Sequence, residues 1–127
     1  MKRGLLLVAH GARNPAWAAP FRRLLERLHA QQPEYPARLA FLELMEPSPE
    51  QALSQLAQAG VQEVEVLPMF LGGAGHVQRD LAPLLSAAEQ HLGMRIRVHA
   101  ALGEQAVMLD AMTQLCLRLL DDPESPP

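Results

Sequence analysis

The 127-residue chain has a formal net charge of −3, with 49% hydrophobic and 20% charged residues, which suits one globular domain that buries about two-thirds of its unfolded surface. Only 4% of residues are aromatic and Lys and Arg form no long run, which argues against a base-stacking or basic surface for nucleic acid. No apolar run approaches the ~20 residues needed to span a bilayer, and the single cysteine, Cys116, excludes an intrachain disulfide or a Cys-rich metal site. The expectation is a cytoplasmic protein without a membrane or nucleic-acid partner.

Met1-Lys2-Arg3 followed by the apolar run 4–9 imitates a signal peptide, but His10, Arg13 and Asn14 interrupt it at once. A short, continuously apolar run suits a strand buried on both faces, as in a parallel sheet. Pro15 then opens a helical stretch to about Gln32, with Trp17, Phe21, Leu24, Leu25 and Leu28 spaced at three and four. Residues 37–43 read as a second strand. Ser48 is the expected N-cap of a second helix, with Pro49 at its first position and Gly60 as its C-terminal stop. Residues 62–68 read as a third strand, followed by a glycine-rich segment from Met69 to Gly75. A third helix is expected from about His76 to Leu92, ending at Gly93. Residues 94–99 alternate with period two and read as a fourth strand nearer an edge. A last helix covers roughly 104–121, where Cys116 reads as a small core residue. The Pro-rich, acidic tail 122–127 reads as disordered.

Four alternations of strand and helix predict a single α/β domain, residues 1–121, with a four-stranded parallel sheet flanked by helices and right-handed crossovers. In such sheets ligands bind beyond the carboxyl ends of the strands, near a topological switch point. His10 follows the first strand, Glu43 ends the second with Glu46 just beyond it, and His76 closes the loop after the third. If the first and third strands are neighbours, His10 and His76 flank one crevice. Two imidazoles and a carboxylate suit a first-row divalent ion, and imidazole also transfers protons near neutral pH. Gly72, Gly73 and Gly75 would let the backbone approach a large flat ligand. An anion site at the start of the third helix is the weaker alternative, because the segment lacks a Walker lysine and the GxGxxG spacing. A phosphohistidine enzyme is disfavoured because Ala9, not Arg, precedes His10.

Three segments together, LLLVAHGARNP (5–15), FLELMEPSPEQAL (41–53) and LPMFLGGAGHVQRDLAP (67–83), resemble the short-form CbiX-type sirohydrochlorin chelatases of the class II chelatase family. The resemblance runs to about Leu120. Ala12 stands where the family motif HGSR has serine. The resemblance implies insertion of a divalent metal, Co²⁺ or Fe²⁺ with Ni²⁺ also considered, into sirohydrochlorin, without an organic cofactor, for cobalamin or sirohaem synthesis. It also implies His10 and His76 as metal ligands and proton acceptors. Glu43 is the acidic partner that the resemblance implies, and Glu46 is the alternative. The eight carboxylates of such a macrocycle call for cations at the rim. Arg13 lies three residues after His10, and Arg79 three after His76. Longer members look like two fused copies of such a unit, so a homodimer is expected. The rival reading is a non-enzymatic metal or tetrapyrrole carrier, which would bind without accelerating metal insertion.

Overall fold

The structure, a computed structural model, describes residues 2–72, 74–121 and 124, with the backbone alone described for Ala74, His76 and Val77. Four strands, β1 (Arg3–Ala9), β2 (Ala37–Phe41), β3 (Glu63–Pro68) and β4 (Arg95–Val98), form one parallel sheet in the order β2-β1-β3-β4. The helices are α1 (Ala19–Gln31), α2 (Pro49–Gln58), α3 (Ala74–Leu92) and α4 (Ala106–Asp121). This is the α/β class that the alternation predicts, with β1 and β3 adjacent and β4 at an edge.

The alternation of side chains along each strand sorts the core into two layers. Leu6 and Val8 of β1 join Val64 and Val66 of β3 beneath Leu53, Leu56, Leu81 and Leu85 of α2 and α3. Leu7 and Ala9 face the other way with Leu39 and Phe41, under Phe21, Leu25 and Leu28 of α1. Each fully buried leucine or valine contributes roughly 1.5–3 kcal/mol. The central strand is therefore apolar on both faces, which is what its unbroken run requires.

α1 leaves one sheet face open over β3 and β4. There the register sets Arg3 beside Glu63 and Glu63 beside Arg95, then Leu5, Glu65 and Arg97 in the next row of the same face. Opposite charges directly across strands stabilise each other. Glu63 meets Arg3 at 3.4 Å and Arg95 at 3.4 Å, and Glu65 meets Arg97 at 2.8 Å and Arg3 at 3.5 Å. The Glu65 carboxylate also accepts from His99 Nε2 at 2.5 Å. That hydrogen bond, then the charges of Arg97, His99 and Arg3, hold the Glu65 carboxyl below the usual carboxylate range against the opposing effect of burial.

The caps are as the sequence reads them at α2. Ser48 Oγ accepts from the Gln51 amide, and the Gln51 side chain accepts from the Ser48 amide. Gly60 follows with φ 87° and Gly93 ends α3 with φ 66°.

Several boundaries differ for identifiable reasons. The stretch from Pro15 is a short 3-10 helix (Pro15–Ala18), capped by Asn14 Oδ1, and α1 begins only at Ala19. Pro20 has no N–H to give the preceding turn, so it fits the first turn of a new helix. β2 stops at Phe41, two residues early: the Leu42 and Glu43 amides still reach the Ala9 and His10 carbonyls, but the regular ladder ends at Phe41 and the chain loops round to Pro47, whose carbonyl accepts from the Phe41 amide at 2.9 Å. α3 begins at Ala74, so His76 lies within its first turn. A second 3-10 helix, Leu102–Glu104, precedes α4.

Cys116 is exposed and is not a core residue. No residue of α4 is buried, so the helix supplies no core in which it could sit. The tail reading concerns residues of which only Glu124 is described. No helix among the described residues is long and apolar enough to cross a membrane.

Candidate active site

The chain leaves β1 towards β2 on one side and, after β2, crosses back to β3 on the other. The loops after β1 and β3 therefore diverge, and the crevice between them is the topological switch point. His10 is the first residue beyond β1, and residues 69–72 follow β3 on the way to α3. Glu43 lies on the loop after β2, the other neighbour of β1.

His10 is exposed at this edge, and its ring is set by a neighbour from the β3 loop. The Phe70 ring lies 4.4 Å from the imidazole, centroid to centroid, with the planes tilted by 55°. Phe70 is only 4% exposed and packs with Ala101 and Leu42. A buried ring in a tilted contact restricts the imidazole.

Two glycines bind this edge together. Gly11 has φ 98°, and a Cβ there would fall 1.9 Å from the Glu43 carbonyl oxygen. Only glycine allows both the conformation and the contact. The Glu43 amide in turn donates to the His10 carbonyl at 3.1 Å, continuing the β1–β2 pairing past the end of β2. Across the crevice, a Cβ on Gly103 would fall 1.9 Å from the Leu71 carbonyl oxygen, and the Gly103 amide donates to Phe70 at 2.9 Å. Thus the backbone of Glu43 is fixed against His10–Gly11, and that of Phe70–Leu71 against Gly103.

The residues expected at the site fall as follows. His10, Glu43, Arg13, Gly72 and Gly75 all belong to the loops or first helical turn at this edge, and Arg79 follows one turn into α3; Glu43, Arg13 and Arg79 are exposed. Glu46 is exposed farther along the β2 loop. His76 is placed by its backbone in the first turn of α3, while its side chain and Gly73 lie outside the described residues. A Cβ added to Gly72 or Gly75 would meet nothing within 4 Å among the described residues. Among the described residues no three His, Cys, Asp or Glu side chains gather as a metal cage. His99 stands at the same edge, but its Nε2 is engaged by Glu65 on the sheet face.

Phe70 serves two ends. It is core, and through His10 it also shapes the site. Leu44 and Leu71 were not singled out. No residue type signals the φ of 65° at Leu44, and exposure cannot be read from a leucine's identity.

The CbiX family model matches residues 4–118, nearly the whole chain. The chain belongs to the CbiX family. Relatives are named for one chemistry. A sirohydrochlorin cobaltochelatase from Methanothermobacter thermautotrophicus is 31% identical over 93 residues, 71% of this chain and 64% of that protein. The chloroplastic sirohydrochlorin ferrochelatase of Arabidopsis thaliana is 30% identical over 119 residues, 90% of this chain and 52% of that protein. The chain thus spans less than two-thirds of the length of each of these two relatives. Among solved structures, a CbiX protein from Marinobacter aquaeolei described as a putative cobalamin biosynthesis protein superposes with a TM-score of 0.83 at 26% identity, covering 98% of this chain and 100% of that one. SirB from Bacillus subtilis, solved with Fe³⁺, shares the fold with a TM-score of 0.80 at 23% identity, covering 99% of this chain and 49% of SirB. The CbiX fold is therefore spread over all of the elements described above.

Proposed function

We propose that this chain inserts a divalent metal ion, Co²⁺ or Fe²⁺, into sirohydrochlorin, as a step of cobalamin or sirohaem synthesis in the cytoplasm. The observation that carries the reading is His10 at the switch point of a CbiX-family chain, opposite the loop that leads to His76.

The reaction joins the metal ion and the macrocycle and releases two protons from pyrrole nitrogens. No electrons change hands, so no organic cofactor is needed. In this reading a neutral imidazole, His10 or His76, holds the incoming ion as it sheds water, and the pair takes up the departing protons. Glu43 offers a carboxylate for either task; its backbone is tied to His10 through the Glu43 amide. Gly72, Gly73 and Gly75 let the backbone lie close to the ring. Arg13 and Arg79 meet the carboxylates at the rim, where a guanidinium fork matches the ligand's geometry. Their exposed positions, three residues beyond each histidine, support this.

The working form in this reading is a homodimer. What supports it is α4, none of whose residues is buried. Met108, Ala111, Met112, Leu115, Cys116 and Leu119 fall on one side of this helix by their spacing, away from Asp110 and Gln114, and Val107, Leu109, Leu117 and Leu120 are exposed on its other sides. A second copy is the occupant that would take that stripe out of water. Sedimentation at micromolar concentration should give twice the chain mass, and a monomer with full activity would remove this part of the reading.

The test of function is anaerobic mixing of the protein and sirohydrochlorin with Co²⁺, Fe²⁺ or Ni²⁺ separately, followed by the macrocycle's visible spectrum. Acceleration over the protein-free rate is expected, with loss in both His10→Ala and His76→Ala. Macrocycle binding without acceleration by any metal would make the protein a carrier.

A further inference from the structure

Two leucines at the candidate site are left in water by the fold. Leu44 is 61% exposed and Leu71 is 68% exposed. The strand order places them on opposite sides of His10, because the loop after β2 and the loop after β3 flank the end of β1. Neither position is a casual loop tip. Leu44 holds φ at 65°, a conformation that a branched side chain rarely adopts and that glycine or asparagine takes at lower cost. The residue before it, Glu43, is packed on Gly11, and Leu71 is packed on Gly103, each so closely that a Cβ on the glycine would meet the carbonyl oxygen at 1.9 Å. The backbones at both leucines are thus tied down by neighbours while their side chains stand outside the core.

We propose that Leu44 and Leu71 are the apolar jaws that grip the flat face of the tetrapyrrole over His10. The inference rests on the functional reading above and names residues for the ring itself, as distinct from its charged rim. A conjugated macrocycle with carboxylates at its edge presents an apolar face, and covering it with exposed leucine takes apolar surface of both partners out of water. Leu44 is the central residue of a tight turn in which the Met45 amide donates to the Glu43 carbonyl at 2.8 Å, which fixes the backbone from which its exposed side chain projects.

The experiment is a fluorescence titration of metal-free sirohydrochlorin into the wild type, Leu44→Gly, Leu71→Ala and the double variant, with thermal melting of each. Removing one leucine should weaken binding about fivefold, and both together about 25-fold if they act independently. Leu44→Gly should melt at or above the wild-type temperature, since glycine suits the positive φ and little packing is lost. Arg13→Lys, which alters the rim, keeps the ring contact and serves as the comparison. Tight wild-type binding unchanged in both leucine variants would overturn the jaws and leave the chelatase reading standing. A fall of several degrees in Leu44→Gly would make Leu44 a structural residue and also overturn them. A wild type that does not bind the macrocycle would overturn both readings.

Discussion

Gly11→Ala tests whether the edge of the sheet is held together as the structure describes. The new Cβ would fall 1.9 Å from the Glu43 carbonyl oxygen and 3.0 Å from its carbon, at a φ of 98°. Alanine in that conformation costs of order 1–3 kcal/mol, and relieving the overlap by moving the Glu43 backbone costs roughly another 1–3 kcal/mol. A central value of about 4 kcal/mol follows. With an unfolding entropy near 2.1 cal/mol/K per residue, a chain this long should lose about 15 °C in Tm. Circular dichroism melts of the wild type and Gly11→Ala measure this directly. Gly75→Ala is the control, because its Cβ would meet nothing within 4 Å among the described residues and the residue lies in α3. Alanine there should gain about 1 kcal/mol of helix propensity and raise Tm by roughly 3–4 °C. If Gly11→Ala melts within about 2 °C of the wild type, the close contact between the two loops does not exist in solution. In the metal-insertion assay Gly11→Ala should also be slow, since Glu43 must shift to admit the methyl group.

Three further outcomes follow from the packing and charge. Leu53→Ala, at a fully buried side chain of α2, should lose about 2–5 kcal/mol in urea unfolding with an unchanged m-value. Glu65→Gln should narrow its stability deficit as pH falls. The wild-type carboxyl is depressed in the fold, so its contribution is full above the unfolded carboxylate pKa, near 4.3, and is lost as pH drops through the lower folded value. A wild-type-to-variant gap that stays constant from about pH 7 to pH 3 would show that the ion-pair row does not act on Glu65. Cys116, exposed on α4, should react with a thiol reagent at the rate of a free cysteine when the protein is dilute, and more slowly at high concentration if the proposed dimer forms through α4.

The sheet and its order of elements were legible because their signals are local. An apolar run buried on both faces, a capping box at Ser48 and Gln51, and glycines after α2 and α3 each fix a piece without reference to the rest. The His10 and His76 positions were legible for the same reason, since the carboxyl ends of parallel strands are known once the strands are. What escaped needed information that lies between elements. Pro15 and Pro20 both suit a helix start, and only the packing of Ala18 under the sheet separates the 3-10 turn from α1. The row of Arg3, Glu63, Arg95, Glu65 and Arg97 depends on strand register, which a single strand's alternation does not contain. The stripe on α4 can be read as apolar from its spacing, but periodicity does not say what covers it, and so Cys116 was assigned to a core that this helix does not enter.

The close contacts suit this edge to the proposed reaction, in which a metal ion and a macrocycle must meet in register. Loops are usually the mobile part of an α/β fold. Here the β2 loop is locked to the end of β1 by Gly11 and by the Glu43 amide, and the β3 loop is locked to the segment after β4 by Gly103. Phe70 closes the circuit by placing a buried ring against His10. The imidazole, the neighbouring carboxylate's backbone and the two exposed leucines are therefore referred to one rigid frame, the sheet. A site that does not have to be organised on binding loses less free energy to ordering when its ligand arrives. The same frame makes a separable prediction for Phe70→Leu. The core should tolerate the change at a cost of about 1 kcal/mol, while the His10 ring loses its aromatic neighbour. Its proton resonances should move towards random-coil values, and metal insertion should slow at saturating sirohydrochlorin. Unchanged His10 resonances in Phe70→Leu would show that the ring is held by something else.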